Sequence, residues 1–277
     1  MNESSFKGAG DLNIATRSWH PEAGAARGVV VIVPGFNSHS GYYEWVAEQL
    51  TADGLAVYSI DLRGRGKSDG ERFYVQNFDD YVNDVASFVS IVKTNEPGLP
   101  VFMLGHSAGG VVACNYTLDN QEELAGLICE SFAYQVPAPD FAIAVLKGIS
   151  HIAPHAHVLK LHNKDFSRDA KSVEIMDNDP LIENETQPSQ TIAAMVHADE
   201  RLKKDFAQFT LPLLILHGTN DKATRPSGSQ YFYDNASSTD KTLKLYEGHY
   251  HDLLNDLEKE VVIADIKNWL DAHLAKA

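Results

Sequence analysis

Residues Gly105-His106-Ser107-Ala108-Gly109 lie directly after the apolar run Val101 to Leu104 and directly before a helix-like stretch, Gly110 to Leu118. Alone, the pattern Gly-x-Ser-x-Gly arises often by chance. Between a buried strand and a helix it specifies a strand, a sharp turn and a helix, the arrangement known as a nucleophile elbow. Small residues are needed at Gly105 and Gly109, because the turn forces the serine into a strained backbone conformation and the flanking chains pass closely. The Ser107 hydroxyl is then held above the end of a sheet. The Ala108 N–H, at the helix N-terminus, points where negative charge on a reacting carbonyl oxygen would develop. A tight turn with an idle serine is the plainer reading, but it leaves the agreement of several distant segments unexplained.

Those segments alternate. Val29 to Val33 is followed by Tyr43 to Thr51, Ala56 to Ile60 by Phe78 to Lys93, and Val101 to Leu104 by Gly110 to Leu118. Short β-branched runs separated by helix-period segments predict a mostly parallel sheet with helices on its faces. In the second helix Phe78, Tyr81, Val82, Val85, Phe88, Val89 and Val92 form the inward stripe. Leu127 to Cys129 is a further strand. The rhythm then stops from Ser131 to about Phe209 and resumes with Leu213 to His217, Tyr231 to Asn235, Thr242 to Tyr246 and Val261 to Leu274. The interruption predicts an inserted subdomain, giving a core of residues 1–131 and 209–277 and an insertion of 132–208. Phe6 to Trp19, alternating around Gly8 and Gly10, predicts an antiparallel hairpin at the sheet edge.

A chain of 277 residues, 44% hydrophobic, can bury one large core with such an insertion. Its formal net charge of −15 argues against nucleic acid and against adsorption to anionic membranes. The two cysteines, Cys114 and Cys129, fall in apolar settings and suggest neither a disulfide framework nor a metal site. His151, His155 and His157 are close in sequence, but Pro154 interrupts a two-ligand helical face, so no metal is expected there. Residues 1–15 lack a basic segment followed by an apolar one, and no stretch is long enough to span a bilayer, so a cytoplasmic protein without stable membrane insertion is expected.

A serine hydroxyl needs a base within hydrogen-bond reach and a third group that fixes the base's tautomer. After an elbow of this kind the acid follows a later strand and the histidine a loop beyond the last one. Leu213 to His217 and then Gly218-Thr219-Asn220-Asp221 put Asp221 at a strand's C-terminal end, where the sites of open parallel sheets form. Asp221 is the expected acid, against the reading that it only caps a helix beginning near Pro226. Glu130 is its rival, at the less usual point where the insertion leaves the sheet. Of the two histidines in Gly248-His249-Tyr250-His251, His251 is the expected base, because the chain needs a few residues after the Gly248 turn to bring a ring over the elbow; His249 is expected behind it or partly exposed. The second oxyanion donor is expected in Val33-Pro34-Gly35-Phe36-Asn37 as the Phe36 N–H, paired with that of Ala108.

With these motifs in hand, the chain resembles the monoacylglycerol lipase and lysophospholipase branch of the α/β-hydrolases over nearly its whole length. The likeness rests on the Ser107 elbow, on Asp61-Leu62-Arg63-Gly64-Arg65-Gly66-Lys67-Ser68-Asp69-Gly70, on Asn178-Asp179-Pro180-Leu181 and on the stretch from His217 to His251. It implies the α/β-hydrolase fold, a mostly parallel sheet flanked by helices with an inserted, mainly helical cap, and a triad of Ser107, Asp221 and His251. Two positions depart from the family: Pro34 stands where a histidine is common, and His249 where a small residue is usual. The Asp61 to Gly70 segment reads as structural, with Gly64 and Gly66 as turn residues. Phe141, Ile143, Val145, Leu146, Ile149, Ile152, Val158, Leu159 and Leu161 give the insertion an apolar surface that either lines an acyl pocket or packs the cap onto the core, and that could touch lipid surfaces transiently.

The expected function is therefore that of a serine hydrolase acting on small carboxylic esters, monoacylglycerol-like or short monoesters, through an acyl-enzyme and without a cofactor. A lysophospholipase, an aromatic-ester hydrolase or a peptidase would share fold and triad, and a non-catalytic binding protein could retain the pocket. A serine at the elbow, rather than a carboxylate, disfavours dehalogenase and epoxide-hydrolase chemistry.

Overall fold

The computed structural model describes residues 1–22, 24–134 and 147–275. The chain runs β1 (Asn2–Lys7), β2 (Asn13–Trp19), β3 (Val29–Val33), α1 (Glu44–Ala52), β4 (Ala56–Ile60), α2 (Phe78–Asn95), β5 (Val101–His106), α3 (Ala108–Asp119) and β6 (Gly126–Glu130). It continues with β7 (His157–Leu159), α4 (Ala170–Asp177), β8 (Gln187–Pro188), α5 (Ser189–Asp205), β9 (Leu213–Gly218), α6 (Pro226–Asn235), β10 (Lys241–Tyr246) and α7 (Lys259–Leu274). Eight of the strands form one sheet in the order β1-β2-β4-β3-β5-β6-β9-β10, parallel from β4 to β10. The predicted edge hairpin is β1–β2, antiparallel, with Phe6 opposite Ile14.

Burial on both faces explains the continuous apolar runs. All five residues of β3, Val-Val-Val-Ile-Val, are buried, as are those of β4, β5, β6 and β9. Alternate side chains feed two cores. Val29, Val31 and Met103 meet α2, α3 and α5 on one face, while Val30, Ile32 and Leu104 meet α1 and α7 on the other. Helix α2 turns Phe78, Tyr81, Val85, Phe88, Val89 and Val92 inward as its period requires. It also buries Asp84, which Arg63 grips with two bonds of 2.7 and 2.8 Å. Helix α3 is buried along nearly its whole length, so it can tolerate only the small and apolar residues it has near the elbow.

After β6 the chain leaves the sheet and returns in β9, which pairs with β6 itself. Between them β7 and β8 form a two-stranded ribbon, and α5 packs against α2 and α3. The apolar residues named for this segment divide. Phe141, Ile143, Val145 and Leu146 lie outside the described residues. Leu159 and Leu161 pack against the main core, whereas Ile152 and Val158 face solvent at 88% and 40% exposure. Among the described residues no helix is long and apolar enough to cross a membrane.

Candidate active site

The elbow forms at the C-terminal end of β5. Ser107 adopts φ 54° and ψ −122°, a left-handed conformation that an L-residue holds only when its surroundings impose it. The close approach explains the glycines. A Cβ on Gly109 would lie 2.2 Å from the Val33 carbonyl oxygen, and one on Gly35 would lie 2.7 Å from Ser107 Cβ. Helix α3 begins at Ala108, two residues earlier than its sequence period suggests, so the Ala108 N–H is the first of the helix's unpaired donors.

Three loops at the same sheet edge bring the expected residues together. Ser107 Oγ lies 2.8 Å from His251 Nε2, and His251 Nδ1 lies 2.7 Å from Asp221 Oδ2. An ionised carboxylate only accepts, so Nδ1 carries the imidazole proton and Nε2 is free to accept from the serine hydroxyl. The His251 ring is wholly buried, with the edge-on ring of Phe166 4.9 Å away and His106 5.0 Å away.

Asp221 does not cap α6, whose N-cap is Arg225 followed by Pro226. Its Oδ1 accepts from the N–H groups of Ala223 and Thr224 at 2.7 and 2.9 Å. Its Oδ2 serves His251, the Thr224 hydroxyl at 2.8 Å and His217 Nε2 at 3.0 Å. Burial opposes the charge, but His251, His217 and these bonds outweigh it and hold the carboxyl well below its ordinary range. His217 and Thr224 were not legible as site residues. His217 ends an apolar strand in the sequence, and only its contact with a carboxylate four residues on reveals a role.

Glu130 does not compete for His251. Its carbonyl oxygen accepts the Ser107 N–H at 2.9 Å, while its carboxyl accepts the Leu254 N–H at 3.2 Å in the loop beyond His251. Burial, then neighbouring Asp252, pushes that carboxyl's pKa well up. His106, Glu130 and Asp252 converge, with their nearest ligand atoms within 4.8 Å of one another. Asn255 Nδ2 bonds both Asp252 oxygens, so the loop itself occupies much of this polar cluster. Burial and His251 press His106 down to about 3, which keeps its ring neutral.

His249 is buried at 6% exposure, with its Nε2 3.4 Å from Glu258 and its ring against Tyr246. His155 and His157 take separate partners, Glu71 in the loop before α2 and Thr186 on the inserted segment. In the first loop, Phe36 is buried beside the elbow, and no acceptor among the described residues receives its N–H. His39 Nε2 and the Tyr42 hydroxyl meet Asp179 at 2.8 and 2.7 Å, which ties the Asn178 to Leu181 element to this loop.

The family model described as "Serine aminopeptidase, S33" matches residues 24–258. A monoacylglycerol lipase of Mycolicibacterium smegmatis is 33% identical over 99% of this chain and 98% of its own length. The monoglyceride lipase of Homo sapiens is 32% identical over 94% of this chain and 88% of its own. The solved structure of Paleococcus ferrophilus monoacylglycerol lipase superposes with a TM-score of 0.84 at 28% identity, covering 94% of this chain and 99% of that one. The chain belongs to the α/β-hydrolase superfamily, in the branch of carboxylic ester hydrolases that holds the monoacylglycerol lipases.

Proposed function

We propose that the protein hydrolyses monoacylglycerol-like monoesters through an acyl-enzyme on Ser107. Ser107 Oγ attacks the ester carbonyl as its proton passes to His251 Nε2. The Asp221 carboxylate orients the ring and stabilises the imidazolium. The N–H groups of Phe36 and Ala108 receive the oxyanion of the tetrahedral intermediate. Collapse breaks the bond to the alcohol, which takes the proton from His251. Water then attacks the acyl group by the same route, releasing the acid and restoring the serine. Residues 132–208 act as a cap over the acyl group, and the exposed side chains of Ile152, Val158 and Ile175 suit transient contact with a lipid surface.

The observation that carries this reading is the relay of two hydrogen bonds, 2.8 and 2.7 Å, from Ser107 through His251 to Asp221. Lipases that act on monoacylglycerols, by their names, resemble the chain along its full length, which favours this substrate class over peptides. The test is labelling by a fluorophosphonate probe, combined with turnover of monoacylglycerols of graded chain length, p-nitrophenyl esters, lysophospholipids and peptide amides. Labelling lost in Ser107→Ala, with monoacylglycerols the best natural substrates, is expected. An unlabelled wild-type protein, or turnover that survives Ser107→Ala, sinks the mechanism; preference for another panel member sinks the substrate assignment alone.

A further inference from the structure

The loop that carries the Phe36 N–H is gripped from the inserted segment by a buried ion pair. Arg65, at 1% exposure, lays its guanidinium 3.7 Å from the centroid of the Phe36 ring. The same guanidinium pairs with Glu185 and donates to Gln187 Oε1 at 2.7 Å. Glu185 Oε1 in turn accepts the Asn37 N–H at 3.0 Å and the Gln187 amide at 2.7 Å. Asn37 stands at φ 50°, a left-handed conformation that the bond to Glu185 helps to hold. One peptide N–H of the loop is therefore consumed by Glu185, and the ring one residue earlier is pinned by that carboxylate's own partner. Among the described residues, no acceptor takes the Phe36 N–H between these two holds.

We propose that Arg65 and Glu185 are positioning residues for the oxyanion donor, so that the seating of the inserted segment and the aim of the Phe36 N–H are one event. The argument rests on the acyl-transfer reading above. A fully desolvated ion pair is an inefficient way to stabilise a fold, since apolar side chains of similar volume do as well or better. Its value here lies in direction. The guanidinium plane fixes the ring, the carboxylate fixes the next peptide, and their mutual bond fixes the distance between the two holds. Arg65 falls in the Asp61 to Gly70 segment, whose turns are structural, but its side chain reaches 120 residues along the chain to do this.

The test compares wild type with Arg65→Met/Glu185→Met, which removes both charges and leaves none uncompensated, and with Arg65→Met/Glu185→Gln, which keeps an acceptor for Asn37. Active sites are counted by fluorophosphonate titration, and folding is checked by urea unfolding. Per active site, the first variant is expected to lose about 10²-fold in kcat with KM within a few-fold, the size of a small misplacement of a reacting group. Its affinity for a trifluoromethyl ketone, which forms a tetrahedral adduct on the serine, is expected to fall by the same factor. The acid limb of its pH profile should stay in place, because the relay to Asp221 is untouched. The Gln variant is expected to recover part of both losses. Wild-type kcat and ketone affinity per site in the Met variant overturn the proposal. So does failure of both variants to fold, which would make the pair purely structural. Failure of the acyl-transfer reading itself appears separately, as a wild-type protein that the probe does not label.

Discussion

His217 Nε2 stands 3.0 Å from Asp221 Oδ2, the oxygen that also receives His251 Nδ1. Its other nitrogen meets the Ser229 hydroxyl at 2.7 Å, so the ring is a neutral bridge that donates to Asp221 and accepts from Ser229. Burial lowers its pKa and keeps it in that state. Two imidazoles thus share one carboxylate, one facing the serine and one facing the protein interior. Replacing His217 with leucine should cost about 1–3 kcal/mol of stability, because Asp221 and Ser229 each lose a buried partner. It should also lower kcat by roughly one order of magnitude, as Asp221 gains freedom to turn away from His251. Urea midpoints and ester turnover measure the two effects; an unchanged kcat would mean that the Ala223 and Thr224 N–H groups hold the carboxylate unaided.

The two histidines that flank Tyr250 separate cleanly by substitution. Ser107→Ala or His251→Ala removes a member of the relay and should lower kcat by about 10⁴-fold or more, with KM little changed. His249→Ala should leave most of the turnover, since its ring contacts Tyr246 and Glu258 and its loss mainly opens a small cavity. Equal losses at His249 and His251 in steady-state ester assays would remove the ground for distinguishing them.

The sequence carried the sheet and the relay because both are written in local chemistry. The β-branched runs mark buried strands, the small residues around Ser107 mark a turn between crowded chains, and the order serine, aspartate, histidine follows the sheet. The second layer was hidden because it is made by distant residues of ordinary type. Nothing near Glu185 announces a partner at Arg65, and His217 looks like the end of a strand until the fold brings Asp221 under it. The hydrophobic residues of the insertion were also ambiguous. Period alone does not tell Leu161, which packs on the core, from Ile152, which faces water.

At Gly35 the loop that carries Phe36 passes close against the elbow. A Cβ there would sit 2.7 Å from Ser107 Cβ and 2.9 Å from the His106 carbonyl oxygen. Neither is the end of a flexible side chain, so the loop must back away and carry the Phe36 N–H with it. Gly35→Ala should therefore reduce kcat by about 10²-fold or more, and overpacking should cost about 1–3 kcal/mol. Comparing kcat with affinity for a tetrahedral-adduct inhibitor checks the cause, since both should fall together if the donor has moved.

Asp252 gives the protein a pH dependence of stability opposite to that of Asp221. Burial is the largest cause, and the Asp256 carboxylate adds to it against the bonds from Asn255; together they raise Asp252 from 3.8 to about 6. Glu130 is pushed up in the same cluster, by burial and by Asp252 itself. Between these two values the unfolded chain has released the Asp252 proton while the folded chain keeps it. The folded state then binds more protons, and stability must fall as pH rises. The contribution is fully present below about pH 4 and lost as pH rises through about 6. Asp252→Asn puts a permanently neutral group in place, with an oxygen that can still accept from Asn255. Any lost bond shifts its stability by a constant, so the informative quantity is the difference between variant and wild type as a function of pH. From pH 4 to pH 7.5 urea unfolding should show that difference moving in the variant's favour by about 2–3 kcal/mol, the size of a shift of roughly two pKa units. A difference that stays flat across this window would show that Asp252 is already ionised in the folded protein at pH 4 and that the cluster holds its charge by other means.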